Sequence, residues 1–139
     1  MPFHPQTVHF PIALLFAAFG FYLWFAFRPQ DWRLHTSQIL HFSGVIAMAV
    51  AIFSGRQAVA GLSLTSEAEA ALNRHELLGY LSVWLFAGLG VWQYVLRGKL
   101  GRTGLWVFVA IFAAALVAMS VGAHVGGKMV YVFGVGVSP

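Results

Sequence analysis

Four long apolar stretches, separated by short polar and charged segments, dominate the hydrophobic pattern of this chain. They cover residues 10–28, 36–56, 75–96 and 103–123, and a helix of about 20 residues crosses the hydrocarbon core of a bilayer. Each stretch is apolar on all sides, which suits lipid because a helix satisfies its own backbone hydrogen bonds. The pattern therefore predicts an all-α integral membrane protein in which residues 1–139 form a single four-helix up-down bundle.

The residues that flank these stretches predict where the helices begin and end. Pro11 falls in the first turn of the first span, where its missing N–H is harmless, and Arg28-Pro29 closes that span. Ser66-Glu67-Ala68-Glu69 matches a capping box, so we expect a helix to begin there outside the membrane and to continue into the third span. The segment from His124 to Pro139 is too short to span and too apolar to remain in water. We expect it to form a C-terminal tail that folds back on the bundle.

The charged residues lie at the ends of the spans and orient the bundle. One side of the membrane carries Arg28, Arg33, Arg97, Lys99 and Arg102, whereas the other carries Arg56, Arg74 and Lys128. The positive-inside rule places the first side in the cytoplasm. Both termini and the folded-back tail are then expected on the periplasmic face.

Composition narrows the function classes. The chain is 60% hydrophobic and 9% charged, and its net charge of +4 comes from scattered Lys and Arg residues rather than a basic patch, which argues against nucleic-acid binding. The absence of cysteine excludes disulfides, iron–sulfur ligation, thiolate metal sites and covalently attached c-type haem. With no room for a soluble catalytic domain and no nucleophile–base arrangement, we expect a non-catalytic subunit in contact with membrane lipid.

Alternation of the four spans gathers four of the six histidines at one membrane face, namely His4, His9, His75 and His124. Imidazole is the common axial ligand of b-type haem, and bundles hold such cofactors between facing helices. The first and third spans lie diagonally across an up-down bundle. We therefore predict that His9 and His75 bind the iron of haem b, with His124 and then His4 as further candidate ligands.

Other residues near this face have two interpretations. Arg56, Arg74 and Lys128 could pair with haem propionates, or they could be ordinary flanking charges. Gly44, Gly55 and Gly79 could leave space for a flat macrocycle, or they could be helix-packing residues. The histidines themselves could simply lie at the interface, as polar residues at helix ends do.

The residues His41 and Trp84 lie away from this cluster. His41 could bind a second haem, but only His35 is nearby, so we expect a hydrogen-bonded histidine on a helix face. Trp84 is expected to lie deep in its span and to line the core, in contrast to the tryptophans near the span ends, which fit an interfacial belt.

The two ends of the chain carry recognisable motifs. The first is His4-Pro5-x-x-Val8-His9-Phe10-Pro11-Ile12-Ala13-Leu14-Leu15, and the second is Gly122-x-His124-x-Gly126-Gly127-x-x-Val130-Tyr131 followed by Gly134-Val135-Gly136-Val137. Together with His75 at the start of the third span, they resemble the bacterial predicted membrane proteins called domain of unknown function 2231, over essentially the whole chain. Related modules occur joined to Rieske-type or cytochrome c domains, so the resemblance implies a redox role in the bacterial inner membrane.

These observations lead to one preferred hypothesis and two alternatives. The preferred one is a cytochrome b-like electron-transfer subunit of a larger redox complex, with a c-type cytochrome, a Rieske-type protein or quinone as partner. The first alternative is a cofactor-free anchor subunit of a respiratory or photosynthetic complex. The second is a copper-handling or other metal-handling protein that uses the histidine cluster with Met1 or Met129.

Overall fold

A computed structural model describes residues 4–96, 99 and 101–136, without the side chain of Pro5. Its helices are α1 (His4–Thr7), α2 (His9–Phe27), α3 (Asp31–Val59), α4 (Ser66–Val95) and α5 (Arg102–Tyr131). The described residues contain no strand. Met1, Arg97 and residues 137–139, which entered the expectations above, lie outside the described residues.

The four long helices form a closed ring. Each packs against the next in chain order, and α5 packs back against α2. Among the described residues α2 does not contact α4, so these two helices lie on a diagonal of the bundle. The prediction of a four-helix up-down bundle is confirmed. The short α1 adds to it by packing on α2 and α3.

The composition of the interior and of the outer surface identifies a membrane protein. Tyr22, Phe86, Phe108 and Phe112 are completely buried and pack ring against ring at the centre. Large apolar side chains also cover the outside of every long helix, among them Phe10, Ile46, Leu81 and Val117. All four long helices are long and apolar enough to span a bilayer. Lipid is the solvent in which such an outer surface is stable.

Two residues lie on faces that the sequence did not indicate. Trp84 is 75% exposed, so the expectation that it lines the core is wrong. Arg33, taken above as a flanking charge, is only 7% exposed. Its guanidinium lies 4.1 Å from the ring centroid of Trp24 and 5.3 Å from that of Trp32, and Nη1 donates a hydrogen bond to the carbonyl of Arg28. Arg33 therefore stabilises the turn between α2 and α3.

The ends of α4 and α5 differ in detail from the expected ones. Thr65, not Ser66, is the N-cap of α4, because its hydroxyl accepts the hydrogen bond from the backbone N–H of Ala68. The fourth span continues as helix to Tyr131, so the expected start of the tail at His124 is eight residues too early. Beyond it the chain turns back at Gly134, whose φ of 63° favours glycine, and the N–H of Val135 donates to the carbonyl of Met129.

Candidate cofactor site at the His75 end

The end of the bundle that carries His75 is built from α1, the C-terminal part of α3, the start of α4 and the last turns of α5; we call it the His75 end. His75 is partly buried. Its Nδ1 lies 2.9 Å from the carbonyl oxygen of Gly122. Because a carbonyl only accepts hydrogen bonds, Nδ1 carries the proton, and the lone pair of the neutral ring resides on Nε2. Among the described residues Nε2 has no hydrogen-bond partner.

Small residues of α5 make room for this imidazole. A Cβ atom added to Gly126 would lie 2.8 Å from Cε1 of His75, closer than two carbon atoms can approach. Gly122 and Gly126 are one turn apart on the same face, and the ring lies against α5 at this pair of glycines. The hydrogen bond to the carbonyl of Gly122 orients the ring, and the missing side chain at Gly126 lets the ring approach the α5 backbone closely.

His4 is oriented by an equivalent arrangement on α3. Its Nδ1 lies 3.1 Å from Oγ of Ser54, and a Cβ atom added to Gly55 would lie 2.8 Å from its Cε1. The hydroxyl of Ser54 donates to the carbonyl of Ala51 at 3.0 Å, and the hydroxyl of Thr7 donates to the carbonyl of His4 at 2.9 Å. The hydroxyls of Thr7 and Ser54 also lie 3.0 Å apart, so His4, Thr7 and Ser54 form one hydrogen-bonded group. When Nδ1 of His4 is the donor to Ser54, the lone pair of the neutral ring lies on Nε2.

The two imidazoles influence each other electrostatically. Burial lowers the pKa of His4 below its ordinary value of 6.5, and the charge of protonated His75 lowers it further. His4 is therefore biased toward the neutral form, which is the form that binds metal. Both histidines lie at the His75 end, one on α1 and one on α4.

The other two predicted ligands occupy different positions. His9 is exposed at the start of α2 and makes no hydrogen bond to a described residue. His9 lies on α2 and His75 on α4, two helices that pack on common neighbours rather than on each other. His124 is exposed at the rim of an apolar groove of about 460 Å³ between α2 and α5.

The glycines thought to make room for a macrocycle are mostly in contact with other side chains. A Cβ atom at Gly44 would lie 2.8 Å from Leu15, and the ring of His4 fills the corresponding position at Gly55. Only Gly79 has open space beside it. Gly44 and Gly55 are therefore helix-packing residues, which was the alternative interpretation.

The predicted cations lie at the His75 end and are exposed. Arg56 lies 3.5 Å from the hydroxyl of Tyr80, and neither Arg74 nor Lys128 pairs with any described acidic side chain. They are free to bind an anion. Within the described part of the chain, no three His, Asp or Glu side chains converge in a way that could hold a metal ion. Among the described residues, His4 and His75 at this end are therefore joined by no third ligand of that kind.

The bundle interior also contains polar residues that the sequence reasoning did not combine. His41 is completely buried, donates from Nε2 to the carbonyl of Phe86 at 2.9 Å and lies 3.2 Å from the hydroxyl of Tyr22 at Nδ1. The expectation of a hydrogen-bonded histidine is thus confirmed, with partners on two other helices. Arg33, Ser37 and His41 are four residues apart, the spacing of one helix face. That spacing in the sequence was the signal that could have identified the buried polar face of α3.

Comparisons with known proteins assign the family and nothing finer. No curated protein and no solved structure matches the sequence significantly. A family of predicted membrane proteins, domain of unknown function 2231, matches residues 1–139, which is the whole length of the chain. The four apolar helices agree with that description. The chain belongs to the family of predicted membrane proteins known as domain of unknown function 2231.

Proposed function

We propose that this protein is a membrane electron-transfer subunit that binds the iron of haem b through His4 and His75. One observation carries the proposal: two imidazoles at the same end of the bundle are each held at Nδ1 by a hydrogen bond to a protein oxygen, and Nε2 of His75 has no protein partner in the described structure. Histidines that bind a metal through Nε2 commonly donate Nδ1–H to a protein oxygen in this way.

The number of ligands favours haem over a bare ion. Zinc and copper sites in proteins are usually built from three or four side chains, and among the described residues no third His, Asp or Glu joins this pair. A porphyrin supplies four nitrogen ligands of its own and requires only one or two axial residues. Two imidazoles therefore suit a haem iron better than they suit a free metal ion.

The proposal replaces His9 by His4 as the partner of His75. We choose His4 because it is half-buried, hydrogen-bonded to Ser54 and electrostatically coupled to His75, whereas His9 is exposed. α1 reaches the site because it packs on the end of α3. The exposed Arg56, Arg74 and Lys128 are suited to bind the propionates.

A haem at the end of the bundle could exchange single electrons with a partner that docks there. We propose that this partner is another subunit of a redox complex. A c-type cytochrome, a Rieske-type protein or quinone would fit this role. The distribution of Lys and Arg between the two ends of the bundle favours a periplasmic location for the His75 end.

The test is spectroscopy of the purified protein in mild detergent, as isolated and after addition of haemin. We expect a Soret band and, after reduction, a sharp α band of low-spin haem with two histidine ligands. His4→Ala and His75→Ala should each lose this spectrum, whereas His9→Ala and the exposed control His35→Ala should keep it.

Each other outcome decides between the hypotheses. Loss of the spectrum in His9→Ala but not in His4→Ala would restore the pair His9 and His75. A colourless protein that retains stoichiometric copper would support the metal-handling alternative. A protein that binds neither haemin nor copper would overturn the proposal and leave the anchor subunit.

A further inference from the structure

A second polar region lies inside the bundle, away from the His75 end. It is centred on His41, and with Tyr22 and Ser37 it forms a group of completely buried polar side chains on α2 and α3. The interior is otherwise largely apolar and aromatic. Polar groups at this depth are costly and are kept where they have a partner or a function. His41 has hydrogen-bond partners at both ring nitrogens, whereas polar side chains around it do not.

Two glutamines near His41 lack partners. Gln93 on α4 is 3% exposed, and its Oε1 is buried with no hydrogen bond to any described residue. The Nε2 of Gln38 on α3 is likewise buried and has none within the described part of the chain. One atom is an acceptor that needs a donor, and the other is a donor that needs an acceptor.

The packing of α3 on α4 places these two residues at the same level. A Cβ atom added to Gly90 would lie 3.6 Å from Cε1 of His41, so Gly90 faces His41. The helices are antiparallel, and one turn toward the Arg33 end leads from Gly90 to Gln93 on α4 and from His41 to Gln38 on α3. Both unpartnered amides therefore lie one turn from His41 on facing helices.

A ligand that satisfies both atoms must donate to Gln93 and accept from Gln38. Water is the smallest molecule that does both, and buried waters in proteins bind at otherwise unsatisfied polar groups of this kind. We propose that Gln38 and Gln93 form an internal water-binding site between α3 and α4, which hydrates the side of His41 that faces the Arg33 end. The site is separate from the histidine pair at the His75 end and does not depend on a haem there.

Radiolytic hydroxyl labelling of the whole protein in detergent, carried out in H₂¹⁸O, tests this site. Hydroxyl radicals form from bound water at the place where it lies, so buried aromatic side chains are labelled only if water is next to them. His41 and Tyr22 are the reporters. Met48 is buried on α3, two turns from His41 toward the His75 end, and is the internal reference.

We expect ¹⁸O label on His41 and Tyr22 well above that on Met48 in the wild-type protein. Gln93→Leu removes the acceptor and should abolish the label, whereas the exposed control Gln57→Leu should leave it unchanged. If Gln93→Leu does not fold, as judged by circular dichroism and gel filtration, Gln38→Met removes the donor and has the same expected result. Wild-type label on His41 and Tyr22 no higher than that on Met48, or label that persists in the folded Gln93 or Gln38 variant, would overturn the proposal.

Discussion

His41 and His75 are both helix residues with one ring nitrogen bonded to a backbone carbonyl, yet they differ in what happens at the other nitrogen. At His41 the hydroxyl of Tyr22 occupies it, and aromatic rings of three helices surround the imidazole. At His75 the other nitrogen has no partner among the described residues, and the ring rests on Gly126. A buried histidine whose hydrogen bonds are complete stabilises the fold, whereas one with a free nitrogen can still bind a ligand.

Burial alone would have selected His41 rather than His75 as the candidate ligand-binding residue. His41 is the more deeply buried of the two, and an ionisable group at that depth in a membrane protein is ordinarily the first functional candidate. Its hydrogen bonds show that both of its coordination positions are used. The comparison therefore predicts that changes at His41 affect mainly stability, and that changes near His75 affect mainly ligand binding.

The largest effect is expected from His41→Ala. It leaves a cavity among packed rings and removes the partner of the Tyr22 hydroxyl, so the free energy of unfolding should fall by roughly 3 kcal/mol. Unfolding in mixed micelles by increasing fractions of sodium dodecyl sulfate measures this change. The exposed His35→Ala is the control and should change stability by less than about 0.5 kcal/mol. Equal losses in the two variants would show that His41 is not a packing residue.

A second prediction concerns the packed segment between the two regions. At Gly44 a methyl group would lie 2.8 Å from Leu15, which is completely buried and has no room to move. Gly44→Ala should therefore lower the free energy of unfolding by about 1–3 kcal/mol. Gly88 has no atom within 4 Å of the corresponding position, so Gly88→Ala should be neutral or stabilise its helix by up to about 1 kcal/mol. A stable Gly44→Ala protein would show that α2 and α3 can separate at this point.

The sequence predicted the helices well because each apolar residue of a span adds to the mean hydropathy that identifies it. Four apolar runs, each long enough to span a bilayer, give the number of helices and their up-down order without knowledge of any contact. The alternation also placed His4 and His75 correctly at the same end. Local details such as the N-cap at Thr65 shifted by one residue because neighbouring Thr and Ser residues are both good caps.

The sequence could not predict which face of each helix is buried. A helix that is apolar all round carries no amphipathic stripe, so nothing marked Trp84 as lipid-facing, and the buried position of Arg33 was signalled only by its four-residue spacing from Ser37. The position of His4 had the same difficulty. α1 is only four residues long, and its place depends on hydrogen bonds to Ser54, which is 50 positions from His4 in the chain.

A third prediction separates ligand binding from stability at the His75 end. Gly126→Ala places a methyl group against Cε1 of His75, and the ring can turn away at little energetic cost because it is partly exposed at the end of the bundle. The affinity for haemin should then fall about 10- to 100-fold, as it does when the orientation of a ligand is lost, while thermal stability changes little. Gly127→Ala is the matched control, since nothing lies within 4 Å of its added Cβ. Unchanged haemin affinity in Gly126→Ala would contradict His75 as a ligand.

The smallest effect is the dependence of stability on pH through His4. Burial and the neighbouring His75 lower the pKa of His4 in the folded protein, so the unfolded chain binds more protons than the folded one once the pH falls below about 6.5. Stability should consequently decrease as the pH falls from 7 to 5, because protonation favours the unfolded state. His4→Gln removes this group and should flatten the dependence of the melting temperature on pH, whereas the exposed His9→Gln should leave it as in the wild type. An equal slope in His4→Gln and wild type would mean that His4 is not held as a neutral ligand beside His75, and would weaken the haem proposal before any haemin is added.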